Sequence, residues 1–192
     1  LYDDPARIGF KTAEYDSLPG MPVFKWEATR GLGGSFAYNA RETAEDMLGA
    51  DALVALLADT AAKNGNLLIN VGPDSHGRIP AIQQAPLRGL GSWLETNGEA
   101  IFGTRPWTRF GNLQGRDLRY TRGDGVLYAI VPGSVGTSFS IEDPGIAWTG
   151  LSVLGTPQAQ VSERDGMLTI RLERAPGGPA AVVRFSLPAG AG

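Results

Sequence analysis

Cysteine is absent from this 192-residue chain, which excludes disulfides, thiolate metal sites and a cysteine nucleophile together. Histidine is almost absent as well. His76 is the single one, so a zinc site would rest mostly on carboxylates, and a Ser-His-Asp arrangement would depend on one loop position. Lysine and arginine form no block and the formal net charge is -3, so the basic stripe that phosphate backbones and anionic lipids require is missing. Nucleic acid and membrane surfaces are therefore not expected as partners. No stretch approaches the roughly twenty apolar residues of a membrane-spanning helix. The opening LYDDPARIGF lacks the basic start and apolar middle of a signal peptide, and it begins at Leu1 rather than methionine, as a trimmed, mature or partial chain would. The expectation is a soluble protein, cytoplasmic or secreted.

What is present suits a packed core. Hydrophobic residues make up 42% and charged residues 19%, enough for one domain of ordinary size or two small ones. Residues 1–22 are punctuated by Pro5, Pro19, Gly20 and Pro22 and read as an extended loop. PVFKW then predicts a short strand, with ATRGLGGS as the loop leaving its carboxyl end. Between Thr43 and Lys63, Met47, Leu48, Val54, Leu57 and Ala58 recur at helical spacing, and Asn64-Gly65 is a stop signal. NLLINVGP follows as a nearly unbroken apolar run, which suits a strand covered on both faces of a parallel sheet. After the loop DSHGRIP, Leu87, Leu90, Trp93 and Leu94 mark a second helix ending at Asn97-Gly98. Strand, helix, strand, helix is the repeat of an α/β barrel or a doubly wound sheet.

Beyond Pro106 the helical period disappears. RDLRYTRGDGVLYAIV and AQVSERDGMLTIRL each set an Asp-Gly pair between alternating runs, a hairpin signal. FSIED, LSVLG and AAVVRFSL add short strands. The fold class expected is α/β plus all-β: a partial (β/α) barrel over residues 1–106, then a small antiparallel β-sandwich over 107–192.

In barrels the reacting groups stand at the carboxyl ends of strands. The reading that ends a strand at Trp26 puts Glu27 there, beside an indole and near Phe24, where partial desolvation makes a carboxyl a better proton donor. The bland alternative is a solvated charge or an ion-pair partner. Gly31, Gly33 and Gly34 would let backbone approach a ligand, and Phe36 and Tyr38 offer aromatic faces for a sugar or, equally, for core packing. Asn70, ending its apolar strand, either orients a catalytic neighbour or ties down a loop. His76 reads as a turn residue. GLGG lacks the rest of a dinucleotide fingerprint.

KWEATRGLGGSFAYN, followed by KNGNLLINVGPDSHGRIPAIQQAPLRGLGSWLETNGEAIFGTRPW, closely resembles the carboxyl-terminal half of the catalytic domain in the α-L-fucosidases, glycoside hydrolase family 29. GFKTAEYD resembles the family's segment before its Trp-Glu motif, so the resemblance covers residues 9–107. It implies a (β/α) barrel with a carboxyl-terminal β-sandwich, and hydrolysis of terminal α-L-fucosyl linkages with retention. Glu27, matching the Trp-Glu motif, would be general acid/base, and Phe36, matching the family's aromatic position after it, would meet the apolar face of fucose; Trp26, Tyr38 and Asn70 are the other candidates for substrate contact. No metal or organic cofactor is implied, and the partner would be a fucosylated glycan. The family's nucleophile is an Asp on an upstream strand. No motif in residues 1–23 matches it, and Asp3, Asp4 and Asp16 sit in the Pro-rich loop without an assigned role. A third of a barrel leaves unpaired edges, so the chain is expected to form a homo-oligomer or to be a piece of a longer protein. A non-catalytic carbohydrate-binding protein and an assembly subunit are the competing readings.

Overall fold

The computed structural model describes residues 11–190; Asp3, Asp4 and the rest of the first ten residues lie outside it. The described chain is mostly sheet, with two α-helices. Strands β1 (Lys11–Glu14), β2 (Trp26–Gly31) and β3 (Gly65–Asn70) form a parallel sheet in that order. Helix α1 (Ala50–Ala62) connects β2 to β3, and α2 (Ala81–Asn97) follows β3. None of the described helices is long and apolar enough to cross a membrane.

Three local expectations are corrected. The strand is not PVFKW but WEATRG, beginning at Trp26. Trp26 is fully buried, its indole N–H donating to the Lys63 carbonyl at 2.9 Å. Its ring lies so close to Gly65 that any side chain there would collide with it. The helix expected over 43–63 is split in two. The Asp46 carboxylate accepts from the Thr43 amide (2.7 Å) and hydroxyl (3.0 Å), closing a single 3-10 turn. Met47 is then extended, and Gly49 caps the new helix. Finally, among the described residues β3 is an edge strand of its sheet with one face uncovered, and Leu68 is 43% exposed.

From Arg105 onward the strands are antiparallel: β4 (Arg105–Gly111), β5 (Arg119–Gly123), β6 (Val126–Pro132), β7 (Ser138–Glu142), β8 (Gly150–Val153), β9 (Ala159–Arg164), β10 (Met167–Leu172) and β11 (Ala180–Ser186). They form one sheet in the order β4-β5-β6-β11-β8 and another in the order β7-β10-β9. Both Asp-Gly hairpins are present as two-residue connections, Gly123 pairing with Val126 and Arg164 with Met167. In the second, Asp165 and Gly166 both take left-handed φ (53° and 73°), as a type I′ turn requires. The expected boundary at Pro106 falls on the second residue of β4.

The five-stranded sheet is buried on both faces. One face shares an apolar cluster with the three-stranded sheet, joining Leu127, Ala129, Val183 and Phe185 to Phe139, Ile141, Leu168 and Ile170. The other receives the helices: Val54, Ala58 and Trp93 pack with Tyr128, Ile130 and Val182. This explains why VLYAIV in β6 is apolar throughout instead of alternating. The Trp93 indole N–H donates to the Ala180 carbonyl at 2.9 Å, fixing α2 to β11.

At the border of that contact, Asp59 of α1 accepts from Arg119 Nε (2.6 Å), Lys63 Nζ (2.8 Å) and Ser17 Oγ (3.0 Å). Burial alone would raise the Asp59 carboxyl, but the hydrogen bonds and charges of Lys63 and Arg119 outweigh it and hold the group below its usual range. A carboxyl with a depressed folded pKa stabilises the fold above its unfolded value, near 3.9, and loses that contribution as pH falls through the folded value. Asp59→Asn leaves two cations partly buried without their partner. It is expected to lower stability by about 2–4 kcal/mol at pH 7. Urea unfolding at pH 7 and pH 3 checks this: the gap between wild type and variant should shrink at pH 3.

Candidate active site

Strand register defines the two faces of the parallel sheet. Residues in register share a face, so Lys11, Trp26 and Gly65, then Ala13, Ala28 and Leu67, lie on one side. Trp26 and Ala28 are buried there, on the side where α1 packs against β3 and where the Lys63 carbonyl accepts from the Trp26 indole. Thr12, Glu27 and Asn66 form one rung on the opposite side, Glu14, Thr29 and Leu68 the next, and Gly31 with Asn70 the last. Asn66 and Leu68 on this side are exposed. It is the uncovered face, and it carries two glutamates.

Glu27 is half-buried and is the second residue of its strand. Because β2 starts at Trp26, Glu27 lies toward the amino end of the sheet, not at the carboxyl end that the shorter strand implied. Glu14 is the residue that ends a strand. It closes β1 on the same face, one rung nearer the carboxyl rim than Glu27, and it is exposed. Neither carboxylate is in a hydrogen bond or ion pair among the described residues. Sequence reading passed over Glu14 because residues 1–22 read as loop. The alternation Lys11-Thr12-Ala13-Glu14, with only Ala13 half-buried, is the signal that marks a short strand there.

The rim itself is built by the loop after β2. Tyr15 turns out of β1 with φ 52°. Its hydroxyl accepts from the Gly31 amide at 3.1 Å, the Arg30 guanidinium lies 5.1 Å from its ring centroid, and Phe36 packs edge-on at 5.2 Å. Asn70 donates to the Phe36 carbonyl at 2.5 Å, so it ties down the loop, one of its two expected roles. Gly31 and Gly33 are buried under the loop's own atoms: the Ser35 carbonyl and Tyr15 hydroxyl crowd Gly31, and Glu42 and Met47 crowd Gly33. Gly34 alone is open, its amide donating to Glu42 at 3.1 Å.

The other expected residues separate. Tyr38 is 47% exposed at the rim. Phe36 is half-buried, partly engaged by Tyr15. Trp26 faces away from this surface and is fully covered, so the structure gives it a packing role instead of a substrate contact. Asp16 accepts from the Ser17 amide in an exposed turn. His76 is an exposed turn residue beside Asp74, whose carboxylate accepts from the Arg78 amide (3.0 Å), the His76 amide (2.8 Å) and Arg78 Nε (3.1 Å). The hydrogen bond from the Arg78 amide leads in holding that carboxyl below its usual range. No group of three or more His, Asp or Glu positioned for a metal ion occurs among the described residues.

A family model described as alpha-L-fucosidase matches residues 3–99. An alpha-L-fucosidase of Branchiostoma floridae is 37% identical over 125 residues, covering 64% of this chain and 28% of the relative. One of Dictyostelium discoideum is 36% identical over 141 residues, covering 72% of this chain and 29% of the relative. The solved Thermotoga maritima alpha-fucosidase in complex with fucose is 35% identical, with a TM-score of 0.77 over 92% of this chain and 42% of that one. The chain thus spans under a third of the length of these curated relatives.

The Asn70 bond gives a local test. Asn70→Ala removes the donor to the Phe36 carbonyl and is expected to cost about 1 kcal/mol. Limited proteolysis should then cut within residues 32–42 faster than in wild type, while cleavage elsewhere keeps its rate.

Proposed function

We propose, from the premise that this chain belongs to the alpha-L-fucosidase family, that it forms the carboxyl-terminal part of a retaining α-L-fucosidase acting on terminal α-L-fucosyl linkages. In this reading β1, β2 and β3 close the last third of a (β/α) barrel, with the uncovered face turned to its interior. Residues 107–192 form a β-sandwich behind it, from a boundary near Pro106. The observation that carries the reading is this open face: a parallel sheet that, among the described residues, is covered by helices on one side only and carries two carboxylates without partners on the other. Its natural cover is the remainder of a barrel.

The chemistry asks for an acid that protonates the glycosidic oxygen as fucose leaves and then, as a base, takes a proton from the attacking water. The Trp-Glu resemblance assigns this to Glu27. Position supports Glu14 as a second candidate, since it ends its strand at the level from which barrels supply reacting groups. The two are staggered by one rung on neighbouring strands, about 8 Å apart at Cα from strand geometry, so single substitutions separate them. Phe36 and Tyr38 at the rim would face the apolar side of fucose, with Asn70 holding their loop. The nucleophile, a second carboxyl roughly 5 Å from the acid/base, has no assignment within this chain. The partner is a fucosylated glycan, with the chain either self-associated or joined to the remaining barrel.

The test uses Glu14→Gln and Glu27→Gln in the active protein that carries this chain within a complete barrel. The variant lacking the acid/base should lose about 10²–10⁴-fold on fucosides with poor leaving groups. It should lose much less on activated aryl fucosides, where azide should restore turnover. A variant active on both substrate types removes that glutamate from the role, and two such variants overturn the reading. A chain that binds fucose in every assembly yet never hydrolyses an aryl fucoside would instead be a carbohydrate-binding relative.

A further inference from the structure

At one end of the antiparallel unit lies an open cavity of about 520 Å³, bordered by Arg105, Trp107, Arg122, Leu127, Ile146 and Leu187. Its makeup is unusual for the place it occupies. Arg105 of β4 stands directly opposite Arg122 of β5, Arg122 opposite Leu127 of β6, and Leu127 opposite Phe185 of β11. These four residues form one rung and share one face of the sheet. Leu127 and Phe185 are fully buried in the core between the two antiparallel sheets. The outer half of a core-facing rung is therefore made of two guanidiniums.

Like charges directly opposite each other destabilise an antiparallel pair. Elsewhere on this sheet, arginines on neighbouring strands are neutralised: Arg109 pairs with Glu142 at 3.2 Å, Arg119 with Asp59 at 2.6 Å, and Arg184 with Glu99 at 3.5 Å. Arg105 and Arg122 have no acidic partner among the described residues, and both are exposed at the cavity mouth. Behind them the lining is apolar. Trp107 is held in place by Tyr120, edge-on at 4.8 Å, and by the Arg109 guanidinium 5.4 Å from its ring. Ile146, Leu187 and Leu127 complete the floor.

We propose that this cavity binds a uronate residue of an acidic glycan. The carboxylate would meet the two opposed guanidiniums, whose planar forks match carboxylate geometry, and the C–H face of the sugar would lie on Trp107. The volume is that of a small-molecule site and far exceeds that of a bare oxyanion, while the cation pair demands a negative charge that a neutral sugar does not offer. The site belongs to the antiparallel unit, away from the open face of the parallel sheet, so it stands or falls separately from the fucosidase reading.

The test is calorimetric titration of the full 192-residue chain with D-glucuronate, D-glucose, acetate and benzoate at low salt. Glucuronate is expected to bind at least about tenfold more tightly than glucose or acetate, a factor within reach of one charge-assisted hydrogen-bond pair. Arg105→Gln/Arg122→Gln should reduce glucuronate affinity to that of glucose while keeping or raising the melting temperature, since it relieves the opposed charges. Equal binding of glucose and glucuronate overturns the proposal. So do acetate binding as tightly as glucuronate, benzoate binding more tightly, glucuronate affinity unchanged in the double variant, and no binding at millimolar glucuronate.

Discussion

The architecture depends on one contact, the seating of α1 and α2 against the outer face of β6 and β11. Val54, Ala58 and Trp93 meet Tyr128, Ile130 and Val182 there, all buried. Without that contact the parallel sheet would be a three-stranded fragment with one helix layer, too small to hide its apolar surface. With it, α1 is clamped between two sheets: β3 of the parallel sheet meets it on one side and the five-stranded sheet on the other. The Asp59 cluster then adds orientation. Its carboxylate is shared between Lys63 of the segment after α1 and Arg119 of β5, and both cations lie within 6 Å of the Phe110 ring. A charge bound to two partners on different elements fixes their relative position more strictly than apolar packing alone.

This clamp is also what makes the open face open. Helices cover a parallel sheet normally on both sides, or a barrel closes it on itself. Here α1 and α2 are both committed to the five-stranded sheet, so nothing within the described chain turns back over Thr12, Glu14, Glu27, Asn66 and Leu68. The face is therefore kept accessible by a commitment made elsewhere. The loop after β2 respects it: Tyr15, Phe36 and Asn70 hold the loop at the carboxyl rim by hydrogen bonds and edge-on packing, without folding it across the sheet.

How much of this was legible follows from the range of each signal. The Asp-Gly hairpins and the second helix were readable because turn chemistry and helical period act within a few residues, as Asp165-Gly166 and Trp93 illustrate. The break at Met47 was hidden, since it rests on a Thr43–Asp46 bond that looks in sequence like an ordinary acidic helix start. The shift of β2 from PVFKW to WEATRG was hidden for another reason. Trp26 begins the strand because its ring fills the space that Gly65, distant in sequence, leaves empty. That single displacement decides where Glu27 sits. The apolar run in NLLINVGP was read correctly as strand, but the described residues cover only one of its faces, leaving Leu68 exposed.

A gradient of self-sufficiency results. The antiparallel unit closes the core between its two sheets with its own strands, from Leu127 and Phe185 to Ile141 and Leu168, and needs the helices only for the outer face of β6 and β11. Among the described residues, the parallel sheet closes only the side that α1 reaches, and no strand pairs with the outer edges of β1 and β3. Local opening is cheapest where apolar burial is least, so β1, four residues long and largely exposed, is the least anchored strand in the sheet. Glu14 ends that strand. Among the described residues, nothing pairs with the outer edge of β1 or covers the face above it, so its own strand alone holds that carboxylate. The same surface that lacks a cover thus holds the residue whose geometry depends most on receiving one.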